Sequence, residues 1–361
     1  MIKQESIDEV RNRMDIYEVV SKHVTLKKNG NGWLGLCPFH NEKTGSFRVT
    51  PSKQIYKCFG CGEGGDAIAF IMKHERKSFF EAIQTIASQY NITLEEDKAA
   101  PQETEEKKSA RAEQLATVAW AQKKYEDLLV SLPDDAPALQ YMQERGYSKE
   151  RMQSWSLGFA PDDWKFITTP IINMGGHAPA VDCGLITSKE GKTWDFYRNR
   201  ITIPIHDHNG RLIGIAGRMI PSGNVEEDKK QAKYFNPCES LIYSKKKVWY
   251  GLWQAQKAIK DAGFAYIVEG YFDVQSMHDN DMCNTVASSG TEIDEQQIKM
   301  LKRYTDHVVI CYDGDQPGVK KAMLQINQFV KFDFKVGLII LPGNQDPDEF
   351  IRNYNLLNQL S

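Results

Sequence analysis

Apolar residues recur along this chain with two different periods, and the period changes as the chain proceeds. Ile7, Val10, Met14 and Tyr17 fall at helical spacing behind Ser6 and Asp8, which predicts one amphipathic helix over residues 4–23. Ser46-Phe47-Arg48-Val49 and Gln54-Ile55-Tyr56-Lys57 read as short strands. Asp66 is placed to cap a helix whose inner face is Ile68, Ile71 and Met72, and a second helix runs through Phe79, Phe80, Ile83 and Ile86. Residues 95–110 hold no large apolar side chain and read as a solvated, flexible linker. Helical spacing returns over 111–145, at Leu115, Val118, Ala119, Leu128, Leu129, Leu139 and Met142. From Trp194 the pattern is that of strands. Arg200–Ile205 and Arg211–Arg218 flank His206-Asp207-His208-Asn209-Gly210, and Asn-Gly predicts a hairpin. His206 and His208 beside that turn read as exposed polar residues rather than metal ligands.

Three further apolar runs, separated by helix-length segments, predict the strands of a parallel, two-sided sheet. They are Ala265–Val268, His307–Tyr312 and Lys335–Leu341. Each leads into acid: Glu269 and Asp273, then Asp313-Gly314-Asp315, then Asp346-Pro347-Asp348. Any one pair is ordinary turn chemistry, since Asp-Gly favours turns by itself. Acids at three strand ends together are another matter, because ligands bind outside the carboxyl ends of such sheets. Hard carboxylate oxygens suit Mg²⁺ or Mn²⁺ accompanied by substrate phosphates. Two such ions can clamp the attacking and leaving oxygens of a phosphoryl displacement.

At 361 residues the chain is long enough for two or three domains with cores of their own. No run of about 18 apolar residues occurs and Met1–Glu5 is polar, so neither a membrane span nor a secretory signal is read, and a cytoplasmic location is expected. The formal net charge of −3 does not point to nucleic acid. Its distribution does: residues 191–260 carry thirteen Lys and Arg against six Asp and Glu, whereas residues 261–361 carry eight against fifteen. Seven cysteines argue against a disulfide framework. Cys183, Cys238, Cys283 and Cys311 stand singly among apolar neighbours and read as buried thiols.

The other three cysteines carry the sharpest local signal. Cys37-Pro38-Phe39-His40 is separated by seventeen residues from Cys58-Phe59-Gly60-Cys61. Two such knuckles make one closed, tetrahedral Zn²⁺ site of Cys37, His40, Cys58 and Cys61. Four protein ligands leave no open position, so the metal is structural. The basic and aromatic residues between the knuckles suit single-stranded nucleic acid, and Phe39 and Phe59 suit a small core equally well.

Two motif groups carry a resemblance. Ile267-Val268-Glu269-Gly270-Tyr271-Phe272-Asp273 with Cys311-Tyr312-Asp313-Gly314-Asp315 resembles the Toprim domain, in the wording of bacterial-type, DnaG-like DNA primases. Cys37–Phe70 is similar to the zinc-binding domain of the same family, with Gly45 where that family usually has proline. The resemblance implies an α+β multidomain chain. A zinc ribbon with helices occupies 1–94 and a linker 95–112. A mixed α+β basic-ridge subdomain follows over 113–258, then an α/β Toprim domain with a mainly parallel sheet over 259–361. It implies a DNA-dependent RNA polymerase that makes short primers on single-stranded DNA from ribonucleoside triphosphates. Glu269, Asp313 and Asp315 would place Mg²⁺, supported from the rim by Asp273, Asp346 and Asp348. Arg198, Arg200, Arg218, Lys233, Tyr234 and Lys245 resemble the ridge that contacts template and nucleotide, while Phe196 stands where relatives often carry a basic residue. The alternatives are another Toprim enzyme, a nuclease or topoisomerase, or a non-catalytic single-stranded-DNA-binding protein. Relatives continue into a helical bundle and a helicase-docking module. With neither in this sequence, Phe350, Ile351, Leu356, Leu357 and Leu360 are expected to have little to pack against, and no helicase docking is expected.

Overall fold

A computed structural model describes residues 2–75, 77, 79–95, 104–288 and 292–359. They form two compact units, Met1–Thr104 and Glu105–Ser361.

The first unit begins with two helices where one was expected, α1 (Gln4–Arg13) and α2 (Ile16–Ser21). Asp15 is the cause. Its backbone is extended, and its carboxylate accepts the amides of Tyr17 and Glu18, so it starts a new helix instead of continuing the old one. Five short strands follow, β1 (Lys27–Asn29), β2 (Gly32–Gly35), β3 (Phe47–Thr50), β4 (Ile55–Cys58) and β5 (Gly64–Gly65). They pair antiparallel in sequential order. A Cβ on Gly45 would stand 2.8 Å from the Gly35 carbonyl oxygen, so this position packs directly on the neighbouring strand. Asp66 caps α3 (Ala67–His74) by accepting the Ala69 amide at 2.8 Å, and α4 (Phe79–Gln89) completes the unit. Val10, Val19, Phe47, Tyr56, Phe70, Ile83 and Ile86 meet in its core. Phe39 packs against that core, whereas Phe59 is 73% exposed, so the two candidate aromatics part company.

Of the expected linker, residues 96–103 lie outside the described residues. The rest corrects the expectation: from Glu105 the chain is helical, in α5 (Glu105–Ser131). Glu, Lys and Ala are strong helix formers, and Lys108 pairs with Glu105 one turn back, so a segment without apolar residues still propagates a helix.

The second unit continues through α6 (Pro137–Glu144), α7 (Lys149–Ser154), β6 (Gly158–Ala160), α8 (Thr168–Asn173) and α9 (His177–Asp182). A hairpin of β7 (Ile186–Lys189) and β8 (Lys192–Asp195) precedes the long β9 (Arg200–His206) and β10 (Leu212–Met219). These join across the predicted Asn209-Gly210 turn, with β6 on one flank. After α10 (Val225–Asp228), β11 (Tyr234–Phe235) adds to the other flank, which gives the antiparallel order β11-β10-β9-β6.

The remainder is α11 (Leu252–Ala262), β12 (Ala265–Val268), α12 (Tyr271–His278), β13 (Thr285–Ala287), α13 (Glu295–Leu301), β14 (His307–Tyr312), α14 (Gln316–Val330), β15 (Lys335–Ile340) and α15 (Pro347–Gln359). The sheet is wholly parallel, in the order β13-β12-β14-β15. Ile267, Val308 and Ile310 join a core with Ile259, Ile298 and Phe329, while Val268 and Cys311 join another with Phe272 and Val274. Two buried faces explain the unbroken apolar runs. At the β15 edge the cover ends, and Ile340 is 58% exposed.

Two expectations are corrected. Cys183 and Cys311 are buried, but Cys238 and Cys283 are exposed; the Cys238 thiol reaches the Asp182 carbonyl across a surface loop, and Cys283 lies in the turn before β13. Phe350 and Ile351 do find partners, because α15 packs on α12 and both side chains lean on the core beneath it. The side chains of Leu356, Leu357 and Leu360 lie outside the described residues. Among the described residues no helix is long and apolar enough to cross a membrane.

Candidate active site

Glu269 follows the last residue of β12, and Asp313 follows the last residue of the adjacent parallel strand β14, so both acids emerge at one sheet edge. Gly314 brings the third acid to them. Its amide donates to the Gln345 carbonyl at 3.0 Å, and a Cβ there would stand 2.3 Å from the Leu341 carbonyl oxygen. Only glycine lets the loop after β15 lie this close, which sets Asp346 beside Asp313. Asp346 also caps α15, accepting the Glu349 amide at 2.6 Å, and Asp315 caps α14 through the Gly318 amide at 2.7 Å.

Crowding of like charge leaves its mark. Burial, with Glu269, Asp346 and Asp315 nearby, pushes the Asp313 carboxyl up to about 6. Asp273, buried on α12, is pushed up to about 8, again by burial first and then by Asp346 and Asp313. Its oxygens accept the amides of Gly270 and Asp348. Asp348 does not sit on the rim as expected. It is fully buried, and its carboxylate is held by Arg145 at 2.7 Å, by Arg352 at 3.3 Å and by the Ser276 hydroxyl. It therefore lies behind the residues that line the cleft.

Glu269, Asp273, Asp313 and Asp346 line one face of a cleft of about 490 Å³. Arg218 on β10, Tyr234 on β11 and Lys233 directly before β11 line the other. The Arg218 guanidinium donates to the Tyr141 hydroxyl at 3.0 Å and lies 4.8 Å over the Tyr234 ring. Burial and the neighbouring Arg218 lower the Lys233 pKa. Arg145, Lys321 and Arg352 also line the cleft and were missed in the sequence. Arg145 follows a helix and the other two sit within helices, so no local pattern marks them.

Other ridge residues lie elsewhere. Arg198 stacks 3.3 Å over the Trp164 ring, within 3.6 Å of Asp162. Lys245 stands in a short 3₁₀ turn, Lys245–Lys247, outside the cleft lining. Arg200 is a correction: only 1% exposed, it donates to the Gly217 carbonyl and lies 3.6 Å over Phe235. No phosphate can reach it. Burial drops its pKa to about 10.

In the first unit, Cys37, His40, Cys58 and Cys61 present ligand atoms that all lie within 4.8 Å of one another. The Cys37–Cys61 sulfurs are 3.8 Å apart, as are the Cys58 sulfur and His40 Nδ1. A tetrahedron with Zn–S bonds of about 2.3 Å has edges of about 3.8 Å, so the donor set fits Zn²⁺. Glu42 stands behind it. Its carboxylate accepts the amides of Cys37 at 2.7 Å and Ser46 at 3.0 Å, accepts the Ser46 hydroxyl, and lies 3.3 Å from His40 Nε2. This contact aims Nδ1 at the metal position.

Comparison with known proteins agrees with the residues. Residues 2–102 match the CHC2 zinc finger family, residues 124–256 the N-terminal domain of the DNA primase catalytic core, and residues 266–351 the Toprim-like family. The chain is 35% identical to the DNA primase of Halalkalibacterium halodurans over 98% of its own length and 58% of that protein's. For the DNA primase of Clostridium acetobutylicum the figures are 36%, 98% and 57%. It thus spans less than three fifths of these relatives. The crystal structure of the zinc-binding and RNA polymerase domains of Aquifex aeolicus primase is similar at a TM-score of 0.61 and 33% identity, covering 98% of this chain and 84% of that one. The DnaG primase catalytic domain bound to ssDNA is similar at a TM-score of 0.61 and 27% identity, over 70% and 79% of the two chains. With both motif groups in place and these similarities along its length, the chain belongs to the bacterial, DnaG-type DNA primase family.

Proposed function

We propose that this chain holds the nucleotidyl-transfer centre of a DNA primase, a DNA-dependent RNA polymerase that joins ribonucleoside triphosphates into short primers on single-stranded DNA. One observation carries the reading: a single cleft has carboxylates at the ends of a parallel sheet on one face and cations of the antiparallel sheet on the other. Glu269, Asp313 and Asp315 would hold Mg²⁺, with Asp346 alongside. When bound, that ion supplies Lewis acidity at the reacting phosphate and neutralises developing charge. Arg218 and Lys233 line the same cleft as Glu269, Asp313 and Asp346 and would orient a triphosphate there. Glu269 would also take the proton of an attacking 3′-hydroxyl. Arg198 flat on Trp164 offers a cation and a ring face to a single-stranded template. The zinc ribbon, with Phe59 exposed, is a second surface for that strand.

Primer synthesis from labelled ribonucleotides on random single-stranded DNA tests this. Asp313→Ala is expected to lower synthesis at least 100-fold, with single-stranded DNA affinity within twofold of the parent, because the lost group is a metal ligand at the sheet rim. Parental synthesis rates from folded Asp313→Ala overturn the proposal.

A further inference from the structure

Within the cleft one ion pair joins a proposed metal ligand to a residue that the polymerase reading leaves without a role. Lys321 lies in the second turn of α14, and its Nζ is 2.6 Å from Oε2 of Glu269. Both side chains are 23% exposed. The same ammonium is 5.1 Å from the centroid of the Tyr312 ring, so the stem is held from two sides. The neighbouring cations are committed differently: Arg145 and Arg352 grip Asp348 behind the site, and Arg218 donates to Tyr141. Lys233, also in the lining, feels Asp346 and Asp313 without an ion pair, so among the described residues Lys321 is the cleft cation that forms an ion pair with an acid directly following a strand of the parallel sheet.

From this pair, and resting on the nucleotidyl-transfer reading above, we propose that Lys321 is a built-in counter-ion of Glu269 that exchanges partners when the site is loaded. With Nζ 2.6 Å from Oε2, a divalent cation held by the same oxygen at about 2.1 Å would set two positive charges within a few ångströms of each other, so the ammonium and the metal compete for that oxygen. Loading therefore displaces Nζ. Lysine is suited to this, being a point charge on a flexible four-carbon stem rather than a planar fork. The anion that arrives with the metal is a triphosphate, and Lys321 already lines the cleft that receives it. Before loading, the ammonium screens the crowded acids and opposes binding of a bare cation. After loading, it contributes to holding the nucleotide. Metal and nucleotide bind cooperatively as a result, and the coupling is reciprocal.

The test is Mn²⁺ binding to the whole zinc-loaded chain, followed by electron paramagnetic resonance without nucleotide, for the parent, Lys321→Met and Lys321→Arg. Methionine keeps the stem's bulk without its charge, and an unchanged melting temperature verifies folding. Lys321→Met is expected to bind Mn²⁺ about 10-fold more tightly, and Lys321→Arg within twofold of the parent. At saturating Mn²⁺, the Kd of a non-hydrolysable ribonucleoside triphosphate is expected to rise about 10-fold in Lys321→Met. A merely structural lysine would not raise metal affinity when removed. Equal or weaker Mn²⁺ binding by Lys321→Met overturns the proposal, and so does an unchanged nucleotide Kd. Asp313→Asn separates the readings. If it abolishes Mn²⁺ binding while Lys321→Met matches the parent, the metal site stands and the exchange falls. If the parent binds no Mn²⁺ at all, both fall.

Discussion

Arginine shows how little residue type decides without its surroundings. Arg200 and Arg218 both sit on the β9–β10 hairpin, yet one points into the core and the other into the cleft. Burial of Arg200 is compensated by the Gly217 carbonyl and the Phe235 face. Its loss is therefore a folding defect. Arg200→Ala is expected to lower stability by about 2–3 kcal/mol in urea unfolding, while the folded protein keeps its single-stranded DNA affinity within twofold. Arg218→Ala is expected to do the reverse, weakening DNA or nucleotide binding about 10-fold with little change in the urea midpoint. A fluorescence-anisotropy titration beside each melt distinguishes them, and identical behaviour of the two variants contradicts the assignment. At the same scale, Asp15 turns one expected helix into two by capping, and Gly314 places an acid by having no side chain.

At the scale of elements, the zinc knuckles are a unit whose ligands are held by a residue that is not a ligand. Glu42 ties Cys37, Ser46 and His40 together, so the two knuckles and the start of β3 share one carboxylate. Removal of such an outer partner costs metal affinity of about 10–100-fold. Glu42→Gln is expected to lose zinc to a chromogenic chelator at correspondingly lower chelator concentration, with zinc still stoichiometric in the protein as purified. Unaltered chelator competition refutes the orienting role. The α12–β13 pair shows a different constraint. His278 lies with Trp155 on one side and the Thr285 carbonyl 2.8 Å away on the other, and burial lowers its pKa. Below the ordinary imidazole value of about 6.5 the unfolded chain takes up a proton that the folded chain refuses. This contribution is therefore fully present above that pH and is lost as pH falls towards the lowered folded value. His278→Gln is expected to narrow the drop in melting temperature between pH 7.5 and pH 5.5, and an equal drop in parent and variant excludes the mechanism.

For the whole molecule, the first unit has a core of its own around Phe47, Tyr56 and Phe70, and the second unit is built on separate clusters. Zinc ligation falls entirely in the first. Because metal binding supplies folding free energy of about 10 kcal/mol or more to small ribbons, chelation should unfold the first unit and spare the second. Calorimetry is expected to show two transitions, of which only one moves on zinc removal. A single transition that shifts as a whole would contradict this division.

Local chemistry is what the sequence alone determined. The cysteine spacing names the zinc set, Asn209-Gly210 the hairpin and Asp66 a cap, because a metal tetrahedron, a tight turn and a helix start each need residues only a few positions apart. The strand ends naming Glu269 and Asp313 were equally legible, since unbroken β-branched runs have few other uses. The two acids of Asp346-Pro347-Asp348 could not reveal their division of labour in sequence. Asp346 faces the cleft while Asp348, two residues on, is buried against Arg145, more than 200 positions away in the chain. Nor could sequence show that Arg200 faces inward, that β13 completes the sheet with three residues, or that Lys321 meets Glu269 across 52 positions. Those facts depend on which distant elements pack together, and long-range packing leaves no periodicity in the residues it joins.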